Sequence, residues 1–232
     1  MNAPDLSVLV AARDEERLLA SCLDSVAAQD IGDGRVEAVV IANGCTDGTA
    51  DLARAWSRAH STIPVTVLEL PDGNISAALN AGADAARGRI VAIVDADSRM
   101  EPSLARRIVE RDAEGWPAGT IRIVADSDDR LDRWFFELLE VGKRRGAKGM
   151  MFYADRQALI DAGGFDPTLA LGADLVTQQR IADRGVPFRH LDDAAILTSP
   201  RRLRRLPFRL GMVTMMARWT ASSIGIWRDR PY

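Results

Sequence analysis

Between residues 6 and 95 the chain alternates between two hydrophobic rhythms. The segments LSVLVAA (6–12), VEAVVIA (36–42), IPVTVLEL (63–70) and RIVAIVD (89–95) are short, apolar and rich in β-branched residues. Between them lie DEERLLASCLDSVAAQ (14–29), TDGTADLARAWSRA (46–59) and ISAALNAGADAARG (75–88). The first of these sets Leu18, Leu19, Cys22, Leu23 and Val26 at helical spacing. The second opens on Thr46 and Asp47, good capping residues, and the third is Ala-rich with Gly88 placed to stop it. Strands that are apolar throughout and joined by helices are covered on both faces. The pattern therefore predicts an α/β fold, a mostly parallel central sheet between two helical layers. Such sheets bind ligands beyond the carboxyl ends of their strands. Four edges follow: Ala11 to Glu15, Ala42 to Asp47, Leu70 to Asn74 and Asp95 to Asp97.

The second half is less regular. TIRIVADS (120–127) reads as a strand, and LDRWFFELLEVGKRR (131–145) as a helix with Leu131, Trp134, Phe135, Leu138 and Leu139 on one face. GMMFYADRQALIDAGGFDP (149–167) reads as strand, helix and Gly-Gly turn, GADLVTQQRIADRG (172–185) as a helix, and AILTSPRR (195–202) as a strand running into arginines. No internal repeat or low-complexity linker divides the chain. The simplest organisation is one domain over residues 1–205 and a tail over 206–232.

Composition narrows the function. A net charge of −3 over 232 residues argues against nucleic acid as a partner. Two cysteines, Cys22 and Cys45, cannot make a disulfide framework and fit a reducing compartment. MNAPDLSVLV has no basic run before its apolar stretch, so no signal peptide and a cytoplasmic location are expected. The charge is uneven. Residues 200–232 carry eight arginines against Asp229, a balance of +7, which leaves −10 for the rest. The tail segment LPFRLGMVTMMARWTASSIGIW is too short and too interrupted to span a bilayer. It reads either as a helix in the inner membrane interface or as one packed on the domain or in a homodimer.

Asp95 and Asp97 stand one residue apart at the end of a buried strand. One aspartate would serve a turn. Two carboxylates on a bending backbone can converge on a hard divalent cation, which in turn neutralises a diphosphate leaving group. Spacing alone leaves turn and metal site equally open.

Five segments, in order, resemble family 2 glycosyltransferases of the GT-A fold, the Rossmann-like fold of nucleotide-diphospho-sugar transferases. VLVAARDEERLLASCLDSVAAQ is similar to the family's opening P-x-x-N-E strand and helix, and VVIANGCTDGTADLA to its V-D-D-G-S-T-D-G-T segment. ALNAGADAARGRIVAIVDADS resembles the run that ends in the DXD motif. GGFDPTLALGADLVTQQRIADRG resembles its G-G-F-D … E-D segment, and TSPRRLRR an S-x-R-R element of small members. Together they cover about residues 5 to 205. The resemblance implies transfer of a sugar from a UDP-, GDP- or dTDP-sugar to an acceptor hydroxyl, with inversion and with Mg²⁺ or Mn²⁺. It implies that Asp97 holds the metal and that Asp95 meets the metal or the donor ribose. Ala11, Arg13, Glu15 and Asn43 would line the nucleotide, Arg201 and Arg202 would face the diphosphate, and Asp174 would be the general base. If the tail meets a membrane, the acceptor could be lipid-linked. The alternatives are a nucleotidyltransferase, against which AARDEER stands where a Gly-rich phosphate loop would be, and a non-catalytic sugar-nucleotide-binding scaffold.

Three positions depart from the family pattern. Asn43 replaces the usual aspartate and can donate as well as accept, which loosens any expectation about the base. Ile75 stands where many members have lysine, and Ala173 replaces the glutamate of E-D. Other polar residues have simpler readings: Asp47 as a helix cap, Asp166 as a turn residue, Cys45 as packing. Asn80 is read as bonding a loop or the donor, His190 as structural or a third metal ligand, and Trp134, Phe135 and Phe136 as core with an acceptor-side wall.

Overall fold

The computed structural model describes residues 3–169, 171–204 and 210–223. Four strands, β1 (Leu6–Ala12), β2 (Val36–Asn43), β3 (Val65–Leu70) and β4 (Ile90–Asp95), pair in parallel. They are joined by α1 (Leu19–Ala27) and α2 (Thr49–Ala59), then α3 (Ile75–Ala85). Next come β5 (Ser98–Met100), α4 (Leu104–Ala113), β6 (Ala118–Ala125), α5 (Arg130–Arg144), β7 (Phe152–Asp155) and α6 (Arg156–Asp161). The described chain ends with α7 (Ala173–Asp183), β8 (Leu191–Thr198), α8 (Arg201–Arg204) and α9 (Leu210–Ser223). One sheet holds the described strands in the order β3-β2-β1-β4-β7-β6-β8-β5. β7 runs antiparallel to β4 and β6, β6 and β8 are parallel, and β5 lies antiparallel on β8.

The period of two in each strand explains the layers. Leu6, Val8, Val10 and Ala12 of β1 join the apolar cluster that contains Leu23 of α1, Trp56 of α2 and Ile108 of α4. Leu9 faces the other way, into a cluster with Val39 and Ile41 of β2, Leu79 of α3, Leu159 of α6 and Ile181 of α7. Two cores, one on each face, make the three-layer sandwich that the apolar strands predict.

Three elements differ from expectation. α1 starts at Leu19, not at 14, because Asp14 is left-handed at φ 55° and its carboxylate accepts the Thr46 N–H at 2.7 Å. The turn so formed delivers Glu15 to the sheet edge. β5 and α4 were not anticipated; three residues are too few for a period to register. In α5, Phe135, Phe136 and Leu139 are buried, but Trp134 is 59% exposed, so it is not core. Charged side chains occupy the rest of the inward arc: Asp132 and Glu140 are fully buried and Lys143 nearly so.

Glu140 anchors α5 to the sheet. Its carboxylate lies 3.0 Å from Lys143 Nζ and accepts the Ile123 N–H at 3.1 Å, and Lys143 donates to the Ile121 carbonyl at 2.7 Å. His190 sits with Nε2 at 3.0 Å from Glu140 and Nδ1 at 2.9 Å from Thr120 Oγ1. The ring thus lies between Glu140 and Thr120, which favours the structural reading of His190. Burial pushes the Glu140 carboxyl up, but His190, Lys143 and the Ile123 N–H outweigh it and hold the group below its ordinary value. A depressed carboxyl contributes stability that is complete at neutral pH and is lost as pH falls through the folded value. Glu140→Gln should therefore lower unfolding stability by about 3–5 kcal/mol at neutral pH, since it leaves Lys143 buried without its counter-charge. Urea denaturation measures this, and the gap to the wild type should narrow in acid. Among the described residues no helix is long and apolar enough to cross a membrane.

Candidate active site

β4 delivers Asp95 to the carboxyl edge of the sheet, and the chain turns through buried Ala96 to Asp97 before β5 begins. β5 pairs with β8 so that Ser98 faces Thr198, and their hydroxyls bond at 2.8 Å. Ser199 then donates its N–H to the Asp97 carbonyl at 3.2 Å. This clasp brings the arginines that follow β8 onto the aspartates. Arg201 reaches Asp97 Oδ2 through Nε at 3.0 Å and the Glu15 carboxylate through Nη2. Arg202 Nη1 lies 3.8 Å from Asp95 Oδ2. Glu15 is itself fixed by its N–H, which donates to Thr49 Oγ1 at 2.8 Å.

Asp174 enters from α7, whose N-cap Gly172 is left-handed at φ 75°. Its Oδ2 accepts the Met150 N–H at 2.8 Å. Met150, Asp95, Asp97, Ser199, Arg202 and Phe136 of α5 all line one cavity of about 20 Å³, room for little more than a water. The expected base and the expected metal ligands are therefore neighbours, joined by Met150. The electrostatics agree. Protein encloses Asp95 on most sides although a third of its side chain meets solvent, and this burial raises its carboxyl. Arg202 opposes the rise, while the charges of Asp97 and Asp174 add to it. Burial likewise raises Asp174, against the backbone N–H groups of Leu175 and Met150 and the charge of Lys143. Glu15 is raised by burial in spite of Arg201. Carboxyls raised together in one cleft mark a place where positive charge is in demand.

The other predicted residues line the β1–β3 end of the same edge. Ala11 stands in register between Ile41 and Asp95. Asn43 ends β2 beside Leu70, is 4% exposed, and has no hydrogen-bond partner at Oδ1. Gly44 and Gly73, both left-handed, meet so closely that a Cβ on Gly44 would come within 2.9 Å of the Gly73 Cα. The Arg13 guanidinium lies over Gly73, where a Cβ would be 3.1 Å from Nη1. Asn80 is spent on a loop, with Nδ2 donating to the Phe165 carbonyl at 2.7 Å and Oδ1 accepting the Phe165 N–H at 2.8 Å. Asp166 holds a turn through Thr168 and an ion pair with Arg180 at 3.5 Å, as expected. Asp47 accepts the Thr49 N–H at the start of α2. Asp14, Cys45 and Asp47 also cluster within 4.8 Å of one another, but turn N–H groups already bind the two carboxylates. Sequence reading missed Met150 and gave Thr198 and Ser199, which lie in the S-x-R-R segment, no role of their own. A backbone N–H donor and a strand-pairing hydroxyl leave no motif.

Residues 7–173, well over half of the chain, match the family model described as Glycosyl transferase family 2. The chain belongs to that family. Among curated members it is 26% identical over 191 residues to the glycosyltransferase AglE of Haloferax volcanii, covering 78% of this chain and 62% of that one. It is 31% identical over 177 residues to the undecaprenyl-phosphate 4-deoxy-4-formamido-L-arabinose transferase of Aeromonas hydrophila, covering 70% and 53%. This family member thus spans between half and two thirds of the length of those relatives. Its fold is that of the mannosyltransferase PcManGT of Pyrobaculum calidifontis, solved with GDP-Man and Mn²⁺: TM-score 0.73, 24% identity, 97% of this chain and 65% of that one. S. aureus TarS (residues 1–349) with UDP aligns at a TM-score of 0.69 and 17% identity, over 96% and 66%. The α/β architecture is accordingly the GT-A fold.

Proposed function

We propose that this protein transfers a sugar from a nucleotide-diphosphate sugar to an acceptor, with inversion. The observation that carries the reading is one cavity at the sheet's carboxyl edge lined by Asp95, Asp97 and Arg202, with Arg201 paired to Asp97 and Asp174 bonded to the cavity's Met150. The donor's nucleotide fits the β1–β3 end, where Ala11, Arg13 and Asn43 lie, and the unpartnered Asn43 Oδ1 is available to a base N–H. Its diphosphate fits the β4 end. Arg201 and Arg202 rest on carboxylates in this structure and would turn their forks to phosphate oxygens.

Oxygen ligands suit a hard cation, and the Arg201 guanidinium on Asp97 stands in for positive charge there. Asp97, with Asp95 beside it, would hold Mg²⁺ or Mn²⁺. Such an ion supplies charge against the departing diphosphate. Asp174 takes the acceptor's hydroxyl proton at Oδ1 or Oδ2 as that oxygen attacks opposite the leaving group. Met150 fixes its orientation. The name of the undecaprenyl-phosphate transferase above supports a lipid-linked acceptor, and a position at the inner membrane face would suit one. Residues 1–205 would then form the catalytic unit and 206–232 an accessory tail. Residue 205 and, within that tail, residues 206–209 and 224–232, with Arg209, Trp227, Arg228 and Arg230, lie outside the described residues, as do the side chains of Arg218 and Trp219.

A donor panel tests the reading. Purified protein with Mg²⁺ or Mn²⁺ and UDP-, GDP- or dTDP-sugars should release nucleoside diphosphate from one of them. Because Asp174 is held above the ordinary aspartate value, it is protonated and inactive over a wider acid range. The rate should therefore fall on acidification through a value above that range, and not at the usual carboxylate pKa of about 3.9. Pyrophosphate made from nucleoside triphosphate and sugar phosphate would instead establish a nucleotidyltransferase. Binding without turnover, after acceptors have been screened, would establish a scaffold.

A further inference from the structure

α5 has an outward face as well as an inward one. Leu131, Trp134, Leu138 and Val141 are 45%, 59%, 41% and 39% exposed. At 100° per residue they fall within about 80° of the helix circumference and run about 15 Å along it. Arg130 stands at one end of this stripe, and Arg144 and Arg145 at the other, all exposed. The neighbouring acids are engaged elsewhere. Arg122 meets Glu137 at 3.2 Å, Arg99 meets Asp126 at 2.7 Å, and Arg133 meets Asp128 at 2.5 Å. Asp129 caps the helix through the Leu131 N–H at 2.8 Å. The outward face is thus an apolar stripe centred on a tryptophan and bracketed by arginines. α9, which lines the site cavity through Met215 beside Phe136, also exposes Leu210 and Val213.

We propose that this face of α5 docks the protein onto an anionic lipid surface. The apolar stripe is wide enough to enter the headgroup boundary, and Trp134 carries the amphipathic ring that favours that depth. The arginines at both ends complement anionic headgroups. They also argue against a second copy on the same face, which would bring like charges together at each end. The opposite side of the same helix gives Phe136 to the cavity at Asp95 and Asp97. Docking would therefore set that cavity about one helix diameter, roughly 10 Å, from the lipid. Lipid binding itself does not depend on the proposed transfer and is read without any donor.

The test is flotation of the full chain with vesicles of phosphatidylcholine alone or mixed with phosphatidylglycerol. The protein should float with the mixed vesicles only. Trp134→Glu with Leu138→Glu should lower binding by at least about tenfold. Arg144→Glu with Arg145→Glu should lower it by about fivefold per arginine and flatten its salt dependence. These positions are exposed, so circular dichroism should report an unchanged fold, and donor hydrolysis should persist in both variants. Absence of flotation, equal binding to neutral vesicles, or undiminished flotation of the Trp134/Leu138 variant would overturn the proposal. So would a wild-type dimer, seen by sedimentation, that this variant dissolves.

Discussion

Asp97→Ala is expected to cut nucleoside diphosphate release by about 10³-fold or more. A cation at a transferring diphosphate is worth several kcal/mol of transition-state charge, and each 1.36 kcal/mol is a factor of ten. Asp97 is far more enclosed than its neighbour Asp95, with side chains 3% and 33% exposed. The fold should survive, because the Ser199 N–H is held by the Asp97 backbone carbonyl and Arg201 keeps Glu15. Two readouts belong together. Steady-state release should fall, and Mn²⁺ binding in the presence of donor, followed by calorimetry, should weaken in parallel. A variant that keeps a tenth of the wild-type rate would remove Asp97 from the chemistry.

Asp174→Asn should behave differently. Donor binding should remain near the wild-type level, because the described contacts of Asp174 are to α7 and to the Met150 N–H rather than to the nucleotide end. Transfer should fall by about 10²- to 10⁴-fold, the usual share of a general base. Asparagine can keep the Met150 bond through its carbonyl oxygen, so the loss reports the missing proton acceptor and not a collapsed loop. The acid limb of the rate profile should vanish with it. Normal transfer by the variant would place the base elsewhere. The two substitutions thus separate leaving-group support from acceptor activation.

The sheet was legible in the sequence because its signal is local. β1, β2 and β4 each carry an unbroken apolar run of five residues, and β3 sets Val65, Val67, Leu68 and Leu70 around Thr66 and Glu69. Asp95 and Asp97 were visible as an excess of carboxylate over what a turn needs. What stayed hidden is relational. β5 is three residues long and exists because β8 lies beside it. Met150 matters through its N–H, which any residue but proline supplies. α5 shows the limit of periodicity most clearly. Its apolar residues cover more than one face, and buried Glu140 and Lys143 decide which part turns inward. A hydrophobic stripe in a sequence says that something apolar is wanted, not whether protein or lipid provides it.

The Arg201–Glu15 contact joins positions 186 residues apart. A chain emerging from the ribosome can lay β1 against β2 and, once residue 95 has appeared, against β4. The β1–β3 end of the edge can therefore form early. Arg201 arrives only after β8, so the end at Asp95 and Asp97 must wait for nearly the whole described chain. Contacts of such long reach form slowly, after the costly closure of the loop between them. Until then three carboxylates face one another without their arginines. A chain cut short before residue 201 would therefore lack both arginines that face Glu15, Asp97 and Asp95.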